Sequence, residues 1–455
     1  MPFTRRNLMT AMLAAPLAPA WSQERTSDGF VPLEARASAL QLRPEPAAKT
    51  AVWGFNAGVP GPLLRISKGE ELKLRLANAL PQPVALSFHG LRGVSARSSA
   101  AEPAPVLPGQ SIDMRLTPLD SGLFWYRPGL AEHTAEQKAR GLFGMLIVDE
   151  PNPPDVDLDL PVIVTDWKLG DDGAIAGPFP DPGAARGEGR IGDFMSVNAG
   201  AAPQHVEIRP GARVRLRILN ACNARLLAVM FEGLSPLVIA VDGQPCDPFA
   251  PSGKTLPLGP GARFDVLCDL PALPGARAAL TLRGGGLRTD QDAEADRDLV
   301  VFDCAGEAAP QRGAFAGLPP NPLLPTQIHL ENARRFDIEI QGPGRDPAHV
   351  WALNIGRGNM APDKPLFSVR RGQPVALGFI NKTPVVQSLH VQGHVMRLLH
   401  PLDDGWEPYW RDSVIIAPGK TVHTAFVAEG PGKWLIESPI FEHAAAGARS
   451  WFEVA

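Results

Sequence analysis

"HVEIRPGARVRLRILNACNARLLAVMFEG", residues 205–233, places a turn glycine at 211, an asparagine nine residues later at 220, and apolar residues at alternate positions between them. A period of two is that of a strand with one buried face. "LLRISKGEELKLRLANALPQPVALSFHG" (63–90) and "LFSVRRGQPVALGFINKTPVVQSLHVQGH" (366–394) can be laid over it. Glycine then falls on glycine (Gly69, Gly211, Gly372) and asparagine on asparagine (Asn78, Asn220, Asn381). The chain carries three copies of one strand–turn–strand unit.

Outward from each copy, 40 to 50 residues on, a second hairpin opens with Pro-Gly: Pro108-Gly109, Pro260-Gly261 and Pro418-Gly419. Another glycine follows thirteen or fourteen residues later (Gly122, Gly275, Gly432). The repeat predicts an all-β chain of three consecutive Greek-key β-sandwiches. Proline-rich stretches, "DEPNPPDVDLDLP" (149–161) and "GLPPNPLLPTQ" (317–327), mark the joints, giving units at 28–150, 158–308 and 325–455. Composition agrees: 48 Pro and 45 Gly among 455 residues, with only 20% charged, suit short strands joined by turns.

A net charge of -4, with Lys and Arg scattered rather than gathered in a stripe, argues against nucleic acid as a partner. The N-terminal "MPFTRRNLMTAMLAAPLAPAWSQ" has paired Arg5 and Arg6, a modest apolar run and Ala18-Pro19-Ala20. It reads as a twin-arginine export signal, residues 1–23, cut near Ala20, and implies a periplasmic protein that does not span the membrane. Cys222, Cys246, Cys268 and Cys304 fall within one stretch of the second unit. They suit either up to two disulfides, in three possible pairings, or small buried hydrophobes.

With the repeats in place, a family resemblance follows. "WGFNAGVPGPLLRISKGEELKLRLAN" (53–78), "SGLFWYRPG" (121–129), "ARGLFGMLIVDEP" (139–151), "GRIGDFMSVN" (189–198), "YWRDSVIIAPGKTVHTAFVAEGPGKW" (409–434) and "EHAAAG" (442–447) resemble, in order, motifs of three-domain multicopper oxidases of the bacterial laccase type. The resemblance implies three cupredoxin-like sandwiches. Four coppers would sit in the third and at its contact with the first. The family's ligands form two His-x-His pairs, a His-x-x-His-x-His, and a His-Cys-His-x-x-x-His-x-x-x-x-Met.

Carried over by position, the binuclear type 3 ligands fall on His89, Arg127, Gly129, Gln392, Glu437 and Pro439. Those of the type 2 copper fall on Ser87 and His390, and those of the blue copper on Gln387, Ser438, His443 and Ala448. One histidine survives per site. Ser438 supplies no thiolate, and Arg127 is a permanent cation where Cu(II) would bind. No catalytic residue and no cofactor is therefore expected. Arg127 and Glu437 are expected to form an ion pair in the vacated space, His89 to line the domain interface and His443 to be hydrogen-bonded. His390, Gln392, His394 and Met396 alternate along an expected strand and suit either a weak substitute copper site or packing, and Gly393 favours the second. Asp403, Asp404, Glu407 and Asp412 read as loop or structural carboxylates.

These readings point to a copper-free, periplasmic scaffold or interaction protein, comparable in type to the family's copper-free, twin-arginine-exported cell-division members. Its partners would be periplasmic or divisome proteins. The alternatives are a laccase-like oxidoreductase holding copper through substitute ligands, and a small-molecule binder using the vacated interdomain cavity.

Overall fold

The computed structural model describes residues 25–93, 103–287, 294–355, 364–400 and 405–455. The proposed export signal at 1–23, and Asp403 and Asp404, lie outside the described residues. Six sheets group into three face-to-face pairs, of four and four strands over residues 31–149, seven and five over 158–304, and six and five over 334–454.

Each pair repeats one topology. The opening strand lies parallel to the repeat strand: Val31–Leu40 on Leu72–Asn78, Leu158–Trp167 on Arg213–Asn220, and Arg334–Gln341 on Pro374–Asn381. In Leu72–Asn78 the alternation in the sequence becomes alternate burial, leucines inward and Lys73 and Arg75 outward. Arg213–Asn220 has the same pattern but buries nearly every residue. Arg215 and Arg217 do not reach solvent because the acidic joint between the first two sandwiches lies over them. Arg215 binds Glu150 at 2.6 Å and Asp265 at 2.5 Å, and Arg217 binds Asp159 at 2.7 Å.

The repeat asparagines show why two separated sequence signals travel together. Asn78 Nδ2 donates to the carbonyls of Gln82 and Val106, and its Oδ1 accepts from Leu80 N. Asn220 makes the same three bonds with Arg225, Leu258 and Cys222, and Asn381 with Val385, Ile416 and Thr383. In each copy the asparagine carbonyl accepts from the glycine of the Pro-Gly pair: Gly109, Gly261 or Gly419. Asparagine, with two donors and an acceptor on a short side chain, satisfies a buried crossing that no apolar residue could.

All four cysteines are unbonded and buried in the core of the second sandwich. Cys268 lies opposite Val214 and Pro236 in its sheet rather than opposite a second cysteine. The disulfide alternative is thus not realised, and the thiols pack as small hydrophobes. Among the described residues no helix is long and apolar enough to cross a membrane.

Candidate functional site

His89 ends the strand Leu86–His89 of the first sandwich, and His390 lies in Gln387–Val391 of the third. Both are buried, and their rings stack with centroids 3.8 Å apart and planes 20° apart. Asp412, which lies between Trp406–Arg411 and Ser413–Ile416, brings Oδ1 to 3.5 Å from His89 Nε2, too far for a good hydrogen bond. Burial pushes His89 down to about 4, against the pull of Asp412, and holds His390 well below the usual imidazole range. Both rings are neutral at pH 7.

The second sandwich contributes Arg263, fully buried. Its Nε donates to Leu123 O of the first sandwich at 2.8 Å, Nη1 to Gly261 O at 2.8 Å and Nη2 to Asp242 O at 2.9 Å. Nη2 also donates to Asp412 Oδ2 of the third, so one guanidinium ties all three sandwiches. Gly90 makes room for it: a Cβ there would stand 2.3 Å from Arg263 Nη2, and its φ of +92° already favours glycine. Burial opposes the charge of Asp412, but Arg263 and His89 outweigh it and hold the carboxyl far below the usual range. Asp242 receives less help, and burial with the neighbouring Asp412 pushes it up to about 6.

Arg127 and Glu437 meet across the same interface. Nη2 donates to Oε1 at 2.7 Å, with the side chains 5% and 13% exposed. Arg127 Nη1 donates to Pro128 O at 3.0 Å, and the guanidinium lies over the Phe441 ring at 5.0 Å. The pairing expected from the sequence is present. Beside it, Ser87 sits opposite Arg127 in the sheet. A Cβ on Gly129 would come 2.7 Å from Pro103, so a histidine does not fit at that position without displacing the neighbouring loop.

His443, in the short helix Phe441–Ala445, lies apart from the other two histidines. Its Nε2 is 2.8 Å from Gly187 O, which follows the helix Pro182–Arg186, and its Nδ1 is 3.2 Å from Gln387 Oε1. Burial pushes this imidazole down to about 4, so it is neutral, and its one N–H serves one of these two acceptors. Ser438 Oγ accepts from Ile440 N just before the helix Phe441–Ala445, and Ala448 packs with Val350 and Trp351.

Gln392 Oε1 accepts from Leu435 N at 3.2 Å, and Pro439 is buried. The strand carrying His390 ends at Val391, and the next begins at Met396, with Gly393 at φ +71° between them. His394 therefore turns away from His390. Its Nδ1 lies 3.0 Å from Gln392 O and its Nε2 accepts from Glu429 N, which one neutral tautomer satisfies. Met396 is in the core.

The residues do not fit the family's copper set. The blue-copper position has a serine bonded to Ile440 N, a packed alanine and a histidine whose two nitrogens face Gly187 O and Gln387 Oε1. The binuclear position holds an ion pair and a glycine without space for a ligand. Asp412, Arg263 and Asp242 are the site residues that sequence reasoning missed. Arg263 carried a signal, since it follows its Pro-Gly pair where the other copies have Ser111 and Thr421.

This architecture defines the class. Multicopper oxidase sequence profiles match residues 37–153, 164–277 and 320–455, and the chain belongs to the multicopper oxidase family. Its relatives include the multicopper oxidase MmcO of Mycobacterium tuberculosis, 26% identical over 98% of this chain and 95% of that protein. The cell division protein FtsP of Escherichia coli is 34% identical over 50% of this chain and 48% of its own length. Among solved structures, the multi-copper oxidase of Pseudomonas thermotolerans superposes with a TM-score of 0.78 at 27% identity, covering 93% of this chain and 98% of that one. Lac15 from a marine microbial metagenome gives 0.74 at 28%, over 94% and 100%.

Proposed function

We propose that this chain is a copper-free member of the family that acts as a scaffold in the cell envelope, in cell division or envelope integrity. One observation carries the reading: the blue-copper positions, and the Arg127 and Glu437 positions of the binuclear site, are occupied by groups that already have partners within the protein. Arg127 pairs with Glu437, His443 Nε2 is 2.8 Å from Gly187 O with Nδ1 facing Gln387, and Ser438 Oγ accepts from Ile440 N. A thiolate is required to bind a blue copper and carry its electron, and all four cysteines lie in the core of the second sandwich. The stretch of 34% identity to FtsP supports the division role, with periplasmic division proteins as partners. The paired Arg5 and Arg6 support export by the twin-arginine route.

Protein exported by copper-supplemented cells tests this through metal analysis, visible absorption and turnover of a phenolic laccase substrate. The expected result is no blue-copper absorption and no turnover. The family's four coppers per chain, or oxidase activity, would overturn the reading. Removal of the gene should impair septation under envelope stress, and the wild-type chain and a Ser438→Ala variant should rescue equally.

A further inference from the structure

The stacked histidines pose a problem that the scaffold reading does not solve. Neither nitrogen of His89, neither nitrogen of His390, nor Asp412 Oδ1 has a hydrogen-bond partner, although the three residues are 1%, 2% and 1% exposed. Buried polar atoms left unsatisfied are destabilising, and five of them on three neighbouring side chains point to an occupant. One ligand atom from each of the three residues can be chosen so that all lie within 4.8 Å of one another. That spacing suits a single small ion rather than a copper cluster.

We propose that His89, His390 and Asp412 form a mononuclear site for a first-row divalent cation of the zinc class, which joins the first and third sandwiches. Two imidazoles and a carboxylate are the donors that such an ion prefers, and three protein ligands leave a position for water. Asp412 falls on none of the positions that the family resemblance assigns to copper. Its Oδ2 stays on Arg263 while Oδ1 is free to bind. The carboxylates nearby offset the fixed cations: Arg127 is paired with Glu437, and Asp412 and Asp242, whose Oδ2 is 3.2 Å from Asp412 N, together face Arg263. Stacked rings carry their nitrogens side by side, so uptake of the ion parts the stack by turning one imidazole.

The test uses the full chain stripped with a chelator and dialysed against ZnCl2 or CoCl2. One Zn2+ per chain is expected, with a raised thermal midpoint. Co2+ should give a visible ligand-field spectrum that Zn2+ abolishes. His89→Phe and His390→Phe, which keep an aromatic ring in the stack, should each weaken Zn2+ binding by more than about 100-fold, beyond what outer-shell partners carry. His205→Ala, at an exposed histidine, should change nothing. Should the Phe variants not fold, paramagnetically shifted imidazole resonances in the wild-type Co2+ form would still have to come from two histidines. No retained ion, an ion bound equally by both Phe variants, or Co2+ that shifts no imidazole resonance would overturn the proposal and leave water alone as the occupant.

Discussion

The Arg127–Glu437 pair yields the sharpest stability prediction, because it joins two sandwiches with no solvent route for Arg127. At 2.7 Å and an effective dielectric of about 20, the gross attraction is about 6 kcal/mol, and desolvation of two ions offsets most of it. Removing one partner is a different matter, because the other charge stays buried. Glu437→Gln removes the counter-charge and leaves the guanidinium only neutral acceptors, Pro128 O and the amide oxygen, with the Phe441 face, and should cost about 3 kcal/mol. Arg127→Met leaves a carboxylate that is 13% exposed and can recover some water, so its cost should be at or below about 3 kcal/mol. The double variant Arg127→Met/Glu437→Met should fall within about 1 kcal/mol of the parent, because nothing charged remains. Urea unfolding of the four proteins at constant slope measures the cycle. Single variants that each cost less than about 0.5 kcal/mol, or a double variant equal to their sum, would refute the argument that the pair is a desolvated unit.

Three further outcomes follow from the site and its frame. His89, His394 and His443, each held at about 4, are neutral when folded and titrate at about 6.5 when unfolded. The unfolded chain therefore binds more protons in that window. Stability should be full above pH 6.5 and fall toward pH 4 by up to about 1.4 kcal/mol per pH unit for each histidine. Asp242, raised to about 6, offsets about one of them, and a urea midpoint that stays flat from pH 7 to 5 would contradict this account. Asn381→Ala removes four side-chain bonds, three of them buried, and should cost about 2–4 kcal/mol in the third sandwich, read by thermal unfolding. Ser438→Cys in copper-supplemented cells should not generate a blue-copper band, because Gln387 and Ala448 still stand at two of the four ligand positions, and an intense visible absorption would show otherwise.

The fold was legible because its signal is repeated: the glycine–asparagine spacing and the Pro-Gly pairs recur three times, and the structure shows them bonded to each other. The sequence also shows directly that Ser438 and Ala448 bring neither thiolate nor thioether to the blue-copper positions. The linear reading reached the Arg127–Glu437 pairing through the resemblance, but not which of the remaining histidines meet. Nothing in "LSFHG" or "QSLHVQGH" says that His89 and His390 stack while His443 stands apart. The alternation through His390, Gln392, His394 and Met396 looked like one strand, and Gly393 ends that strand after Val391. Arg215 and Arg217 looked solvent-facing by period, because burial by an acidic joint from another part of the chain leaves no local mark.

The threefold asparagine crossing has a use that reaches past the metal question. The amides of Gly109, Gly261 and Gly419 sit in the same hydrogen bond, at 2.7, 2.8 and 3.0 Å, once in each sandwich. They are three clocks for hydrogen exchange set in the same bond, with Gly261 buried against His89 and Gly109 and Gly419 exposed, and each reports the opening of its own domain. If Arg263 binds the sandwiches into one cooperative body, the three should exchange together, and loss of that single guanidinium should let their rates drift apart.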